Sequence, residues 1–171
     1  MSEKAQPLQS VELLSSPKLL VRKARLNDVD FLYRIINHYA EAQRMLPKTQ
    51  LQLYENLRDY SVAADPSYPH RLLGCGALHI YWENLAEIRA LAVEPEIARK
   101  GIGTSLVREL LREARELGIE KVFCFTYEPK FFSRFGFVQV EHSTMPLKVY
   151  NECFHCPKFN SCDELAMVLY L

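Results

Sequence analysis

The chain has 171 residues, 49% of them hydrophobic, which is enough length and apolar content to bury a substantial core in one domain. Lysine plus arginine equals aspartate plus glutamate at 21 each, a balance that argues against a chain whose main task is coating nucleic acid or an anionic membrane. No apolar run approaches the roughly 20 residues needed to span a bilayer, and the opening stretch lacks a signal-peptide core, so a cytoplasmic protein without a nucleic-acid or membrane partner is expected.

The cysteines, five in all, are expected to be reduced thiols, metal ligands or buried apolar fillers rather than a disulfide framework. Residues 1–18 carry prolines and serines with little periodicity and read as a flexible tail, leaving 19–171 as a single domain. From Leu19, "LLVRKA" is a short β-type run. "NDVDFLYRIINHYAEAQ" then predicts a helix with Asn27 as its cap, Asp28 and Asp30 in its first turn, and Phe31, Leu32, Ile35 and Ile36 at helical spacing. Pro47 is expected to break that helix, and Thr49 to cap a second one with Leu53 and Leu57 on one face. "YSVAA" and "RLLGCGALHIYW" read as strands on either side of the turn-rich "DPSYPH". "AEIRALAVEP" follows after a hairpin-length connection, so three neighbouring antiparallel strands are predicted.

From Gly103 to Leu117 the leucines and Val107 form one stripe, charges fill the remainder, and Gly118 supplies a C-terminal stop. "IEKVFCFTY" is an apolar strand that, after a right-handed helical crossover, should lie parallel to the strand ending at Val93. "PKFFSRF" predicts a short helix, and "GFVQVEH" and "DELAMVLYL" predict the closing strands. The sequence shows no internal repeat.

"ARKGIGTSLV", residues 98–107, puts two glycines at the strand-to-helix junction behind two cations. The first turn of a helix leaves amide N–H groups unpaired, and those amides suit an anion. Gly101 and Gly103 let the backbone turn tightly and approach a bulky phosphate without a Cβ collision, while Arg99 and Lys100 add charge nearby. Purely structural glycines would look the same. The pattern is not a Walker loop, which would end in Lys-Ser/Thr, and a dinucleotide fingerprint would need another glycine.

The stretch "AEIRALAVEPEIARKGIGTSLVRELLREARELGIEKVF", with "FFSRFGF" downstream, resembles the GNAT superfamily of acetyl-CoA-dependent N-acyltransferases, and the likeness runs from about Leu20 to the end. It implies an α+β fold, a mixed α/β sheet of about six to seven strands with flanking helices, and acetyl-CoA as co-substrate. Through "LPKTQLQLYENLRDY", "EIRALAV" and "MPLKVYNECFHCPKFNSCDELAM" the chain looks most like short bacterial amino-acid N-acetyltransferases of the N-acetylglutamate synthase type. That likeness implies acetylation of the α-amino group of a small amino acid, glutamate foremost, in arginine biosynthesis. Homodimers are common in such families. The alternatives are an enzyme for another small amine or a protein N-terminus, and a non-catalytic CoA-binding sensor or interaction module.

An α-ammonium must lose a proton before it can attack a thioester, so the site needs a base. The resemblance puts Glu87 in that position; a solvent-facing strand glutamate is the plain alternative. It also implies that the backbone of Leu91, Ala92 and Val93 aligns the pantetheine arm, with the Val93 amide stabilising the oxyanion. Arg99, Lys100, Gly101, Ile102, Gly103 and Thr104 would hold the pyrophosphate, and Phe132 would border the thiol end. Two positions depart from the family. Ala98 stands where Gln or Arg is usual, and Phe132 where relatives carry the tyrosine that protonates the leaving thiolate. Tyr127 is the substitute candidate, with ordinary strand packing as its alternative. Glutamate would bring two carboxylates and so call for two cationic groups, one preferably an arginine able to bind bidentately. Lys48, Arg89 and Arg134 are the candidates, with Arg44 in reserve; Arg89 follows Glu87 by two and shares its strand face.

Cys153, Cys156 and Cys162 are spaced C-x2-C-x5-C in an insertion at about 151–163, with His155 inside and His142 upstream. Thiolates and an imidazole could hold zinc tetrahedrally, but no second C-x2-C pair accompanies them and acetyl transfer needs no metal, so no metal site is assigned. Phe154 and Phe159 are expected to anchor the insertion on the domain or on a second subunit. The stretch from Met145 to Tyr150 is a further candidate border of the amino-acid pocket.

Overall fold

Alternating and continuous apolar runs resolve into strands β1 (Leu20–Lys23), β2 (Tyr60–Ala64), β3 (Leu72–Trp82), β4 (Leu85–Val93), β5 (Lys121–Thr126), β6 (Val138–Val140) and β7 (Leu165–Tyr170). The helices are α1 (Val29–Glu41), α2 (Gln50–Glu55), α3 (Ile102–Glu116) and α4 (Pro129–Ser133). The computed structural model describes residues 19–98, 100–146, 153–156 and 158–171, so the tail and Arg99 lie outside the described residues. The strands form one seven-stranded mixed sheet in the order β1-β2-β3-β4-β5-β7-β6. β2, β3 and β4 are antiparallel neighbours, and β5 joins β4 in parallel through α3, both as the sequence predicts.

Each face of the sheet carries its own core. On one, Val107, Leu110, Leu111 and Ala114 of α3 pack with Phe132 of α4 against Leu78, Ile88, Val122 and Cys124. On the other, Leu32, Ile35 and Ile36 of α1 and Leu53 of α2 cover Val62, Cys75, Ala77 and Ala92. Burying each such Leu or Ile side chain stabilises the fold by about 1.5–3 kcal/mol, and neither layer has an alternative place to hide its stripe.

Local signals fix most helix ends. Thr49 caps α2 as predicted, its side chain accepting from the Gln52 amide at 3.2 Å. Gly118 stops α3 at φ 75. Two expectations change. Asn27 does not cap α1; it lies in a 3-10 turn, Leu26–Asp28, and the helix starts at Val29. The Asp28 carboxylate accepts instead from the Arg25 amide at 2.8 Å and from Arg22 at 2.6 Å. Pro47 does not end α1 either. The helix closes at Glu41, where Gln43 turns left-handed (φ 56) and the Gln43 and Arg44 amides bond back to Ala40 and Tyr39 at 2.9 and 3.0 Å. This is the paired closure usually built on glycine.

The feature that makes a site is a bulge in β4. Cys75 faces Ala92 while Ala77 faces Arg89, so β4 spends one extra residue against β3. Ala90 absorbs it at φ 50, a left-handed backbone that costs a non-glycine residue about 1–2 kcal/mol. The buried Cys75 thiol lies 3.5 Å from the Ala90 carbonyl oxygen and steadies it. A bulged strand bends, and β4 keeps parallel register with β5 only from Leu85–Lys121 to Glu87–Phe123. Beyond Glu87 the two strands part.

Candidate active site

The parted strands open a cleft of about 1150 Å³, walled by β4 from Glu87 to Val93, the end of β5, the α1–α2 loop, the entrance of α3, and α4. At the inner end, the Glu87 carboxylate accepts a hydrogen bond from the Tyr81 hydroxyl at 3.2 Å. Arg89 also faces the cleft, as its spacing from Glu87 predicts. Its guanidinium, with the side chain only 9% exposed, lies 3.7 Å from Asp59. The same Asp59 oxygen lies 2.6 Å from His79 Nδ1, so the acid immediately before β2 faces both side chains.

Val93 is oriented by its neighbours on both sides. The Glu94 amide bonds to the Leu73 carbonyl of β3 at 2.9 Å. Successive peptide groups of a strand face opposite edges, so the N–H and C=O of Val93 face the parted side. There its carbonyl accepts from the Tyr39 hydroxyl at 2.6 Å. The side chains of Leu91 and Val93 pack with Ile102 and Leu106, and Ala92 is buried on the opposite face. The strand therefore offers the cleft its backbone.

Gly101, with φ +82, is the cap residue of α3, and it lines the cleft with Gly103 and Thr104. A Cβ at Gly101 would meet nothing within 4 Å, so that glycine is required by its backbone conformation. A Cβ at Gly103 would project toward Phe131 and Val93, both of the cleft wall. The Ile102 side chain is buried in the core, so only its amide is available to a ligand. Lys100 is exposed and outside the lining residues. Phe132 borders the cleft from the core, packed edge-on against Phe131 and Phe137 at 5.2 and 5.4 Å between ring centres.

The profile of the acetyltransferase (GNAT) family matches residues 29–137. The chain belongs to the GNAT acetyltransferase family. It is 38% identical over 133 residues to an amino-acid acetyltransferase of Mycobacterium tuberculosis, covering 78% of this chain and 76% of that one. A Mycobacterium tuberculosis protein solved in complex with CoA superposes with a TM-score of 0.78 at 34% identity, over 89% of this chain and 99% of the other. N-acetylglutamate synthase of Neisseria gonorrhoeae, solved with coenzyme A and N-acetyl-glutamate, shares the fold at a TM-score of 0.81 and 21% identity; the match spans 92% of this chain and 36% of that enzyme.

The remaining predicted residues of this acetyltransferase sit at the cleft mouth. Lys48 lines it on the α1–α2 loop, whose backbone is clamped to α1 where Asn37 donates to the Lys48 carbonyl (2.9 Å) and accepts from its amide (3.2 Å). Arg134 is exposed at the rim, with its guanidinium 5.0 Å from the centre of the Phe131 ring. The Tyr127 hydroxyl donates to Asp163 at 2.7 Å and accepts from Lys158 at 3.1 Å. Burial and the Asp163 bond push its pKa up, so the phenol keeps its proton. Arg44 lies over the same ring at 5.7 Å and pairs with Glu128 at 2.9 Å. Tyr127 thus ties the α1–α2 loop to the cysteine segment.

Cys153 and Cys156 line the cleft, and all cysteines of the acetyltransferase are free thiols. Burial, then the charge of Glu87, pushes Cys153 up to about 11, so it is a neutral thiol at physiological pH. Among the described residues no group of three or more His, Cys, Asp or Glu side chains is arranged to hold a metal ion. Phe154 and Phe159 pack against each other with tilted rings, 4.9 Å between centres, and both are exposed on the chain. Met145 is buried beneath β5 and β7 and does not border the cleft; residues 147–150 lie outside the described residues. Tyr39, Asn37, Asp59, Tyr81 and Glu164 were not singled out from the sequence: the partners described for the first four lie 6 to 54 residues away, and the Glu164 carboxylate has none among the described residues.

Proposed function

We propose that this chain transfers an acetyl group from acetyl-CoA to the α-amino group of an acidic amino acid, glutamate foremost, in a ternary complex. The observation that carries the reading is the meeting, in one cleft, of an acid on β4, an open backbone edge at Val93, the entrance of α3 and two cationic side chains, Lys48 and Arg89. A relative whose name is amino-acid acetyltransferase, 38% identical, supports the same substrate class.

In this reading the amides of Gly101, Ile102, Gly103 and Thr104 hold the pyrophosphate, with Arg99 and Lys100 adding charge, and the backbone from Leu91 to Val93 guides the pantetheine arm past Phe132. Lys48 and Arg89 take the two carboxylates of the substrate, with Arg134 at the rim. Glu87, directly or through a water, accepts a proton from the substrate ammonium. The freed amine attacks the thioester carbonyl carbon, and a C–N bond forms as the carbonyl electrons move onto oxygen, where the Val93 amide stabilises the charge. A donor of that kind is typically worth about 3–4 kcal/mol in the transition state. Collapse breaks the C–S bond and releases CoA as a thiolate, with the second amine proton lost to solvent. A thiolate is a tolerable leaving group near neutral pH, so no dedicated acid is required, and Tyr127 keeps its proton in the hydrogen bond it donates to Asp163.

Thiol release from acetyl-CoA across a panel of amino acids and polyamines tests the reading. L-glutamate should lead the panel, and Glu87→Gln should lower kcat by about 100-fold or more while CoA binding is retained. Turnover confined to polyamines, or a Glu87→Gln enzyme at full speed, would overturn it.

A further inference from the structure

Among the described residues the acids lining the cleft are Glu87, Glu128 and Glu164, and two of them already have a hydrogen-bonding partner. Glu87 accepts from Tyr81, and Glu128 pairs with Arg44. Glu164 bonds through its backbone to the Cys162 sulfur, but its carboxylate makes no hydrogen bond or ion pair with any described residue. It directly precedes β7, whose Leu165 is in register with Thr126, so it stands level with Tyr127 where β5 runs out beside the cleft. Its charged neighbours Asp163 and Lys158 are hydrogen-bonded to Tyr127 and to each other, and Lys158 acts on it only through its charge. A half-buried carboxylate left this way is costly to keep ionised, and burial followed by the charge of Asp163 does raise its pKa. Both Glu87 and Glu164 lie near enough to Cys153 to raise its pKa as well, which sets the two carboxylates around one part of the cleft.

Such a group is an acceptor with no donor among the described residues. Lys48 and Arg89 give the cleft sites for anions; Glu164 gives it a site of the opposite sign. We propose that Glu164 receives the substrate's ammonium group, so that the cleft selects a zwitterion, an α-amino acid, over a simple dicarboxylate. This rests on the amino-acid reading above and deepens it. The carboxylate accepts N–H bonds from the ammonium and, after Glu87 has removed one proton, from the amine as well. The nitrogen is held throughout with its lone pair free for the acetyl carbon. Glu164 is a binding and specificity residue; the proton goes to Glu87.

The test compares wild type, Glu164→Gln and Glu164→Asp by steady-state kinetics with L-glutamate and acetyl-CoA, alongside inhibition by glutarate, which has both carboxylates and no amine. Glu164→Gln should raise the glutamate KM at least tenfold and leave the acetyl-CoA KM within twofold. The glutarate inhibition constant should not rise, and Glu164→Asp should recover part of the loss. Equal losses for glutamate and glutarate would mark a merely structural role, and an unchanged glutamate KM would also overturn the proposal. If the wild type fails to turn over any amino acid, the substrate reading falls and the ammonium site falls with it. If the wild type is active and Glu164→Gln is indistinguishable from it, only the ammonium site falls.

Discussion

Gly103→Ala is expected to strengthen the fold and weaken the site at once. Gly103 lies in the first turn of α3, where an added Cβ would stand 3.4 Å from Phe131 Cζ and 3.8 Å from Val93 Cγ2, both ordinary contacts. The protein itself therefore has no objection to a methyl group there. Replacing a helical glycine by alanine at a compatible backbone position stabilises by about 0.4–1 kcal/mol, chiefly by restricting the unfolded chain. For a domain of this length that is about 1–4 °C in Tm. The same methyl enters the space between the first amides of α3 and Val93, where the proposed function puts the phosphates and pantetheine of the co-substrate. A tenfold loss of CoA affinity, about 1.4 kcal/mol, is expected. Gly101→Ala is the control with the opposite balance. Nothing stands within 4 Å of its Cβ, but φ is +82, so the fold should lose about 1–2 kcal/mol. Scanning calorimetry of the free proteins and titration calorimetry with CoA read both effects. A Gly103→Ala protein with lowered Tm and unaltered CoA affinity would refute the reasoning.

Three further outcomes follow from the geometry. Gln43→Gly should raise stability by about 1 kcal/mol, because the left-handed turn that closes α1 is strained for glutamine; a lowered Tm would refute that origin. Burial favours a neutral Asp28, but hydrogen bonds from Arg22 and the Arg25 amide outweigh it and hold its pKa below the usual 3.8. Its contribution is therefore complete above the unfolded value and lost as pH falls through the lower folded value. Asp28→Asn should cost about 1.5–3 kcal/mol at pH 7, and the gap from wild type should shrink in denaturant titrations taken below about pH 4; a gap that widens in acid would contradict the assignment. Asp59→Asn, which loosens Arg89, should raise the KM for the amino acid several-fold and leave that for acetyl-CoA alone; equal changes in both would show that the acid serves the fold only.

What could be read in the chain follows the range of the forces involved. The apolar stripe of α3, the Thr49 cap and the Gly118 stop are local patterns, and they predict the corresponding structure closely. The parallel pairing of β5 with β4 follows from chain handedness. Gln43 and Ala90 escaped because their left-handed backbones are imposed by surrounding packing on residues that do not advertise it. In "EIRALAV" the alternation reads as an unbroken strand, and nothing local betrays the bulge that opens the cleft. Glu87 and Arg89 were legible through their spacing and the family likeness. Tyr39 was not, because its bond joins residues 54 apart in the chain. Glu164 gives no sequence signal at all, since its distinction lies in the partners its neighbours have already taken.

The proposed chemistry depends on binding of the co-substrate by main-chain groups at the entrance of α3 and along the parted edge of β4. Amide-resolved ¹H–¹⁵N spectra of the labelled protein, titrated with CoA, test it most directly. The account predicts the largest shifts at Gly101, Ile102, Gly103, Thr104, Leu91 and Val93, with little change in β1 and β2. Shifts concentrated elsewhere, or spectra indifferent to CoA at millimolar concentration, would contradict it.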